Sequence, residues 1–257
     1  MIYSRTVTLL LVLLVLTGCD FSTPEQSSDE TATATEEVVG DPTAASKHIK
    51  PFREDLPTIG LLMYDGVLQS EVVAASDVFG KPTEAGDQLF NVVTIAQTTA
   101  HITTEEGLKL VPDYNFDNAP TLTVLFVPSA YDMYEQVHNE KIVDFIRRKN
   151  EETTYTVSNC AGAQLIGESG IADGRKIVTW IGGGEQLQID YPNLRVQDDS
   201  KVTYVEDGKF CSSNGNLASY VSALNVLEKM SSPAHREFVA SYLYLERLQE
   251  YRWDEVQ

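Results

Sequence analysis

The chain has 257 residues with a formal net charge of -19, and 42% of its residues are hydrophobic. That charge argues against nucleic acid and anionic lipid as partners and is read as a source of solubility. Three cysteines are too few for a disulfide framework or a cysteine zinc site, and no metal or cofactor is expected.

Residues 1–18 read as a signal peptide rather than as part of the fold. Arg5 supplies the positive start, and Thr6 to Leu16 form an apolar run shorter than a comfortable membrane span. The run closes on Leu16-Thr17-Gly18-Cys19, which resembles the bacterial lipobox. That resemblance implies cleavage before Cys19 and lipidation of its thiol. It also implies a location in the bacterial cell envelope, with the membrane as a partner through the lipid. Asp20 next to it points to the periplasmic side of the inner membrane if the host is Gram-negative. The alternative is an ordinary secretory signal cut elsewhere, leaving Cys19 a free thiol. Residues 19–54, rich in Ser, Thr, Glu and Ala, carry too little apolar surface to offset ordering entropy and are expected to be a disordered tether. As a flexible coil it would reach roughly 30–35 Å.

The main domain is expected over residues 55–232, followed by a C-terminal helix and tail at 233–257. Its pattern alternates strand and helix. Thr58 to Tyr64 is a continuous apolar run that fits a strand buried on both faces. Glu71 to Phe79 has helical spacing; Phe90 to Ala96 and Leu122 to Val127 read as two more buried strands. Met133 to Arg148 predicts one helix with an apolar face at Met133, Val137, Ile142, Phe145 and Ile146. After a strand ending at Cys160, a helix is predicted over Ala161 to Ser169, stopped by Gly170. Lys176 to Trp180, Leu194 to Gln197, Val202 to Glu206 and Phe210 to Ser212 read as strands. Gly215 to Met230 and Ala234 to Gln249 read as helices. The last has enough apolar residues to pack on the domain or on a second subunit. Such alternation predicts an α/β fold, a parallel-sheet three-layer sandwich of flavodoxin-like type with ligands at the carboxyl ends of its strands.

Cys160 lies at one of those ends. The segment Thr153 to Asn159 favours an extended strand, and Ala161-Gly162 turns sharply into a helix. A cysteine at such a corner meets the helix macrodipole and free N–H groups, which favour its thiolate. The small neighbours Ala161 and Gly162 leave room for a ligand, as in the nucleophile elbow of hydrolases. Cys211 is the remaining cysteine, and a Cys160–Cys211 pairing is the bland alternative.

Several pieces in order resemble the ThiJ/PfpI (DJ-1/PfpI) superfamily, which has a class I glutamine-amidotransferase-like fold. They are Ile59 to Val67, Glu71 with Asp77-Val78-Phe79, Gly107 to Asp113 with Phe116-Asp117, Cys160 to Ala163, Gly170 to Arg175, and Ser212-Ser213-Asn214-Gly215. The nearest flavour is the branch of isonitrile hydratases and AraC-type effector domains. Only a helix and a short tail follow residue 232, so no helix-turn-helix pair is expected. The resemblance implies Cys160 as nucleophile or oxidation-sensitive thiol and Glu71 as its acidic partner. The Ala161 N–H would serve an oxyanion hole beside Gly162. A carboxyl beside sulfur in a partly desolvated pocket should stay protonated. Family members are often dimers, which makes a homodimer an option without naming its surface.

Two departures stand out. The family's histidine position holds Trp180, read as a pocket wall, and Val127-Pro128-Ser129-Ala130 replaces Pro-Gly-Gly, leaving Ser129 to present its N–H to the oxyanion. His48, His101, His138 and His235 read as surface residues. The expected function is a membrane-anchored protein using Cys160 with Glu71 on a small electrophile, by hydratase/lyase or hydrolase chemistry. The alternative is a redox-sensing or binding module without catalysis. Either way the partner is a small-molecule substrate or ligand.

Overall fold

The apolar run at residues 58–62 becomes β1 (Thr58–Leu62), buried at every position, because a central strand of a parallel sheet must satisfy helices on both faces. A computed structural model describes residues 50–250; the signal peptide, Cys19 and the tether up to residue 49 lie outside the described residues, as does the tail from 251. The last tether residues, expected to be disordered, are tied to the domain. The Arg53 N–H donates to Asn91 Oδ1 at 2.9 Å, and Asn91 Nδ2 returns a bond to the Arg53 carbonyl at 2.8 Å.

Around β1 stand β2 (Asn91–Ala96), β5 (Tyr114–Asn115), β6 (Val124–Val127), β7 (Tyr155–Asn159), β10 (Tyr204–Asp207) and β11 (Phe210–Ser213). They form one sheet in the order β10-β11-β7-β6-β1-β2-β5, parallel throughout except that β10 runs antiparallel to β11. On one side α1 (Gln69–Phe79) packs against α6 (Ala218–Met230), and elsewhere α3 (Glu140–Glu152) packs against α4 (Gly162–Ser169). The result is the α/β flavodoxin-like sandwich. Phe79 meets Phe90 and Phe126 edge-on, and Phe116 stacks on Phe145 at 4.3 Å, filling the layers between sheet and helices. Two small additions complete the described part: the antiparallel pair β3 (Ile102–Thr103) and β4 (Lys109–Leu110), and the parallel pair β8 (Lys176–Ile177) and β9 (Arg195–Val196).

Several elements differ from their predicted extents. The single helix expected at 133–148 is broken into α2 (Tyr134–Val137) and α3, because Asn139 leaves helical geometry and its side chain caps the new helix by accepting from the Lys141 N–H at 3.1 Å. The strand expected at 176–180 stops after two residues: the Val178 N–H turns to Ser212 Oγ, and the Thr179 hydroxyl donates to the Cys160 carbonyl. A helix not expected at all, α5 (Gly184–Asp190), follows the glycine run. The C-terminal helix divides into α7 (Pro233–Tyr242) and α8 (Leu245–Glu250) at Tyr244, whose φ is 57°. α7 packs on α6 and buries Val239, Ala240 and His235 within the same chain. His235, expected at the surface, is thus a core residue whose Nδ1 lies 3.1 Å from Ser231 Oγ.

Candidate functional site

The strands β11, β7, β6 and β1 are neighbours, so the loops leaving their carboxyl ends meet at one place. Each delivers one part. The β7 exit delivers Cys160, the β6 exit Ser129, the β1 exit α1 with Glu71 in its first turn, and the β11 exit Asn214, Gly215 and Asn216. The first two sites read from the sequence, Cys160 and Glu71, are therefore brought together.

Cys160 sits at φ 50°, a left-handed conformation rare for a residue with a side chain. The surroundings hold it there. Its N–H donates to the Ser213 carbonyl at 2.9 Å, while its own carbonyl accepts from Thr179 Oγ1 at 2.9 Å. The turn into α4 then brings the helix start against the end of β6. A Cβ at Gly162 would collide with the carbonyl oxygens of Val127 and Pro128. Gly162 is thus a packing glycine that lets the corner close, rather than a wall of the pocket.

Glu71 is buried to within 1% of its surface. Its two oxygens are shared out: Oε2 accepts the Ser129 N–H at 2.7 Å and Oε1 the Asn216 N–H at 3.2 Å. Burial nevertheless dominates and pushes the carboxyl up to about 7, against the two backbone bonds that favour its anion. The carboxyl that the sequence reading expected to stay protonated is thus poised near neutrality. A Cβ built on Gly215 would strike both Cys160 Cβ and Glu71 Oε1, so thiol and carboxyl crowd the same glycine, whose φ is +83°. Only glycine fits that gap.

Two expectations for this corner need correction. The helix start was expected to favour the thiolate, but burial pushes the Cys160 thiol up, and the nearby Glu71 charge pushes in the same direction. The Ser129 hydroxyl and the Ala161 N–H pull the other way and do not win. Nor does the Ser129 N–H face an oxyanion, since it is spent on Glu71. What Ser129 offers instead is a fully buried hydroxyl that makes no hydrogen bond of full geometry, yet lies close enough to favour the anions of both Glu71 and Cys160. The Ala161 N–H lies toward the Cys160 sulfur.

In front of the thiol opens a cleft of about 760 Å³ lined by Ala130, Tyr131, Cys160, Ala161, Gln164, Trp180, Ile181, Thr203 and residues 214–218. Trp180 is half-buried in its wall. Cys160 and Cys211 are both free thiols, so the pairing alternative is not realised. Cys211 is buried, and desolvation pushes its thiol up to about 11. Of the described histidines, none lines the cleft. Among the described residues no group of three or more His, Cys, Asp or Glu side chains is placed to hold a metal ion.

A family model for DJ-1/PfpI matches residues 57–229, from the start of β1 to the end of α6. The chain belongs to the DJ-1/PfpI family. Isonitrile hydratase of Pseudomonas putida is 26% identical over 121 residues, 47% of this chain and 51% of that protein. The HTH-type transcriptional regulator GbdR of Pseudomonas aeruginosa is 20% identical over 168 residues, 65% of this chain and 45% of that protein. The chain spans about half the length of these curated relatives. In fold it is similar to Drosophila melanogaster DJ-1beta, with a TM-score of 0.64 and 19% identity over 74% of this chain and 98% of that one.

Within this DJ-1/PfpI fold, the sequence reading missed Asn216 and Asp199. Asn216 has φ 48° and closes the cage around Glu71. Its signal was the Asn-Gly-Asn run, whose residues tolerate left-handed backbone. Asp199 accepts the N–H groups of Gly182 and Gly184 at 2.9 and 2.7 Å and so fixes the loop that carries Trp180. Nothing local in the sequence marks that long-range partner.

Proposed function

We propose that this chain is a cysteine-dependent enzyme that adds water to a small electrophilic substrate, with Cys160 as nucleophile and Glu71 as proton carrier. The observation that carries this reading is the buried Glu71 carboxyl, poised at about 7 and crowding the same glycine as the thiol. An acid near neutrality can take a proton in one step and return it in the next. With Trp180 where the family histidine stands, no imidazole of the described residues lines the cleft to serve a departing amine, which favours addition over amide hydrolysis. Similarity to an isonitrile hydratase supports the same class.

For an isonitrile, Cys160 Sγ forms a bond to the terminal carbon while the thiol proton passes through Glu71 to that carbon, giving a thioimidate. Water then adds to this carbon with one of its protons going to the nitrogen, and the C–S bond breaks as Glu71 moves the remaining hydroxyl proton back to sulfur. The product is a formamide, and no oxidant or reductant is consumed. The Ala161 N–H stabilises charge that develops at the reacting atoms. The lipobox-like Leu16-Thr17-Gly18-Cys19 supports placing this activity in the bacterial envelope. Every side chain named comes from one chain, so the reading does not need a homodimer.

The test is incubation of the full chain with a simple alkyl isonitrile, following formamide by NMR. Support is turnover that falls at least about 100-fold in both Cys160→Ser and Glu71→Leu. Turnover that survives in Cys160→Ser sinks the reading. Trp180 in the family histidine position favours a second reading, a redox-sensing or binding module without catalysis. It predicts no turnover, with peroxide converting Cys160 to a dimedone-trappable sulfenic acid.

A further inference from the structure

The cleft in front of Cys160 is unusual in its lining: among the described residues no charged side chain contributes to it. Glu71 lies behind the thiol, buried, and not in the wall. At the mouth, Tyr131, Ile181 and Leu217 stand 77%, 72% and 69% exposed. Three large apolar side chains left in water around one opening mark a surface kept for a ligand. Inside, Gln164 and Asn214 are neutral polar groups. A carboxylate or phosphate entering here would lose water without meeting a cation, and the net charge of -19 would oppose its approach. A cation would find no carboxylate in the wall.

Trp180 is built into this wall with unusual care. Gly183 lies directly on the indole, so close that a Cβ there would collide with Cε2, Cδ2 and Cζ2. The Gly182 and Gly184 N–H groups are both held by Asp199, and Asn214 Nδ2 donates to the Thr179 carbonyl at 2.7 Å. The residues before and after Trp180 are thereby fixed, and a pre-set aromatic surface binds at low entropic cost.

We infer that the Cys160 cleft selects neutral, predominantly apolar small molecules carrying a flat or ring-shaped group, and that Trp180 is the residue that sets this preference. The inference rests on the reading of this cleft as the working site, but not on the chemistry of the thiol.

The test uses the full chain carrying Cys160→Ser, so that no covalent step intervenes, with phenylacetamide and phenylacetate as probes of equal shape and different charge. Binding is followed by saturation-transfer NMR. The amide is expected to bind at least about tenfold more tightly than the carboxylate, and Trp180→Ala to weaken the amide by about tenfold or more. Leu217→Lys, at an exposed position where folding is not at risk, is expected to turn the preference toward the carboxylate. It keeps the test decisive if Trp180→Ala does not fold. Equal affinity for the two probes overturns the inference. So does amide binding unchanged in Trp180→Ala, or no amide binding up to about 10 mM. A chain that binds the amide selectively yet, with Cys160 intact, turns over no isonitrile keeps the selective cleft and loses the enzyme reading. A chain that turns over without charge preference loses the cleft selectivity and keeps the enzyme.

Discussion

Glu71 occupies a position where a charged carboxylate is tolerated rather than favoured. Its ordinary value of 4.5 is pushed to about 7 by burial, while the Ser129 and Asn216 N–H groups hold its oxygens. The folded chain therefore binds the Glu71 proton more tightly than the unfolded chain does. Stability from this group is fully present below about pH 4.5 and is lost as pH rises through about 7. The window corresponds to a loss on the order of 3 kcal/mol. Urea unfolding near pH 5 and near pH 8 should show it, and Glu71→Gln should flatten the dependence. The amide has one acceptor oxygen for two N–H donors, so this variant should also be less stable than the parent at the lower pH. An equal slope in parent and variant would assign the dependence to other groups. The same substitution removes the charge that raises the Cys160 thiol, so alkylation of Cys160 at mildly alkaline pH should accelerate by about tenfold.

At the scale of elements, the corner between β7 and α4 depends on the absence of one methyl group. In Gly162→Ala the new Cβ would meet the carbonyl oxygens of Val127 and Pro128, and backbone cannot step aside as a side chain can. The start of α4 must move away from β6, carrying the Ala161 N–H with it. A loss of about 2–3 kcal/mol in urea unfolding and slower alkylation of Cys160 are expected. Gly170→Ala is the contrast: φ is +69° but nothing lies within 4 Å, so a loss of about 1 kcal/mol with an unchanged thiol is expected. If both variants alkylate alike, the close approach at Gly162 does not shape the site. These elements also show what a sequence can carry. β1, β2 and β6 were legible because a doubly covered strand needs a largely apolar run, and β7 with the Cys160 corner because β-branched and aromatic residues ran straight into small residues and a helix. The break at Asn139 was not, since a capping asparagine inside an apolar period looks like any polar-face residue. α5 was hidden by its glycines, whose loop is held in part by distant Asp199. His235 looked like a surface histidine because its burial is decided by the packing of α7 on α6. In the site, the pairing of Cys160 with Glu71 was legible only through family resemblance. The destination of the Ser129 N–H was not legible at all, because it depends on where the β1 and β6 exits meet.

For the molecule as a whole, charge and the proposed anchor pull in opposite directions. A net charge of -19 repels an anionic lipid surface, and among the described residues no helix is long and apolar enough to cross a membrane. The apolar run at Thr6 to Leu16 is itself well short of the ~20 residues a span needs. Covalent lipid is one way to hold a chain of this charge at a bilayer, although a single acyl chain gives only marginal binding. The proposal of a lipidated Cys19 follows that logic and makes a sharp prediction. In a bacterium fed a labelled fatty acid, the full chain should take up the label and sediment with membranes through a high-salt wash. Cys19→Ser should lose both label and sedimentation. Its turnover in solution should stay within about twofold of the parent, because every group that lines or supports the cleft lies elsewhere in the chain. Label retained in Cys19→Ser would remove the anchor. Membrane association that salt abolishes would point instead to a charged protein partner, since a lipid chain buried in a bilayer is indifferent to ionic strength while an electrostatic contact is screened.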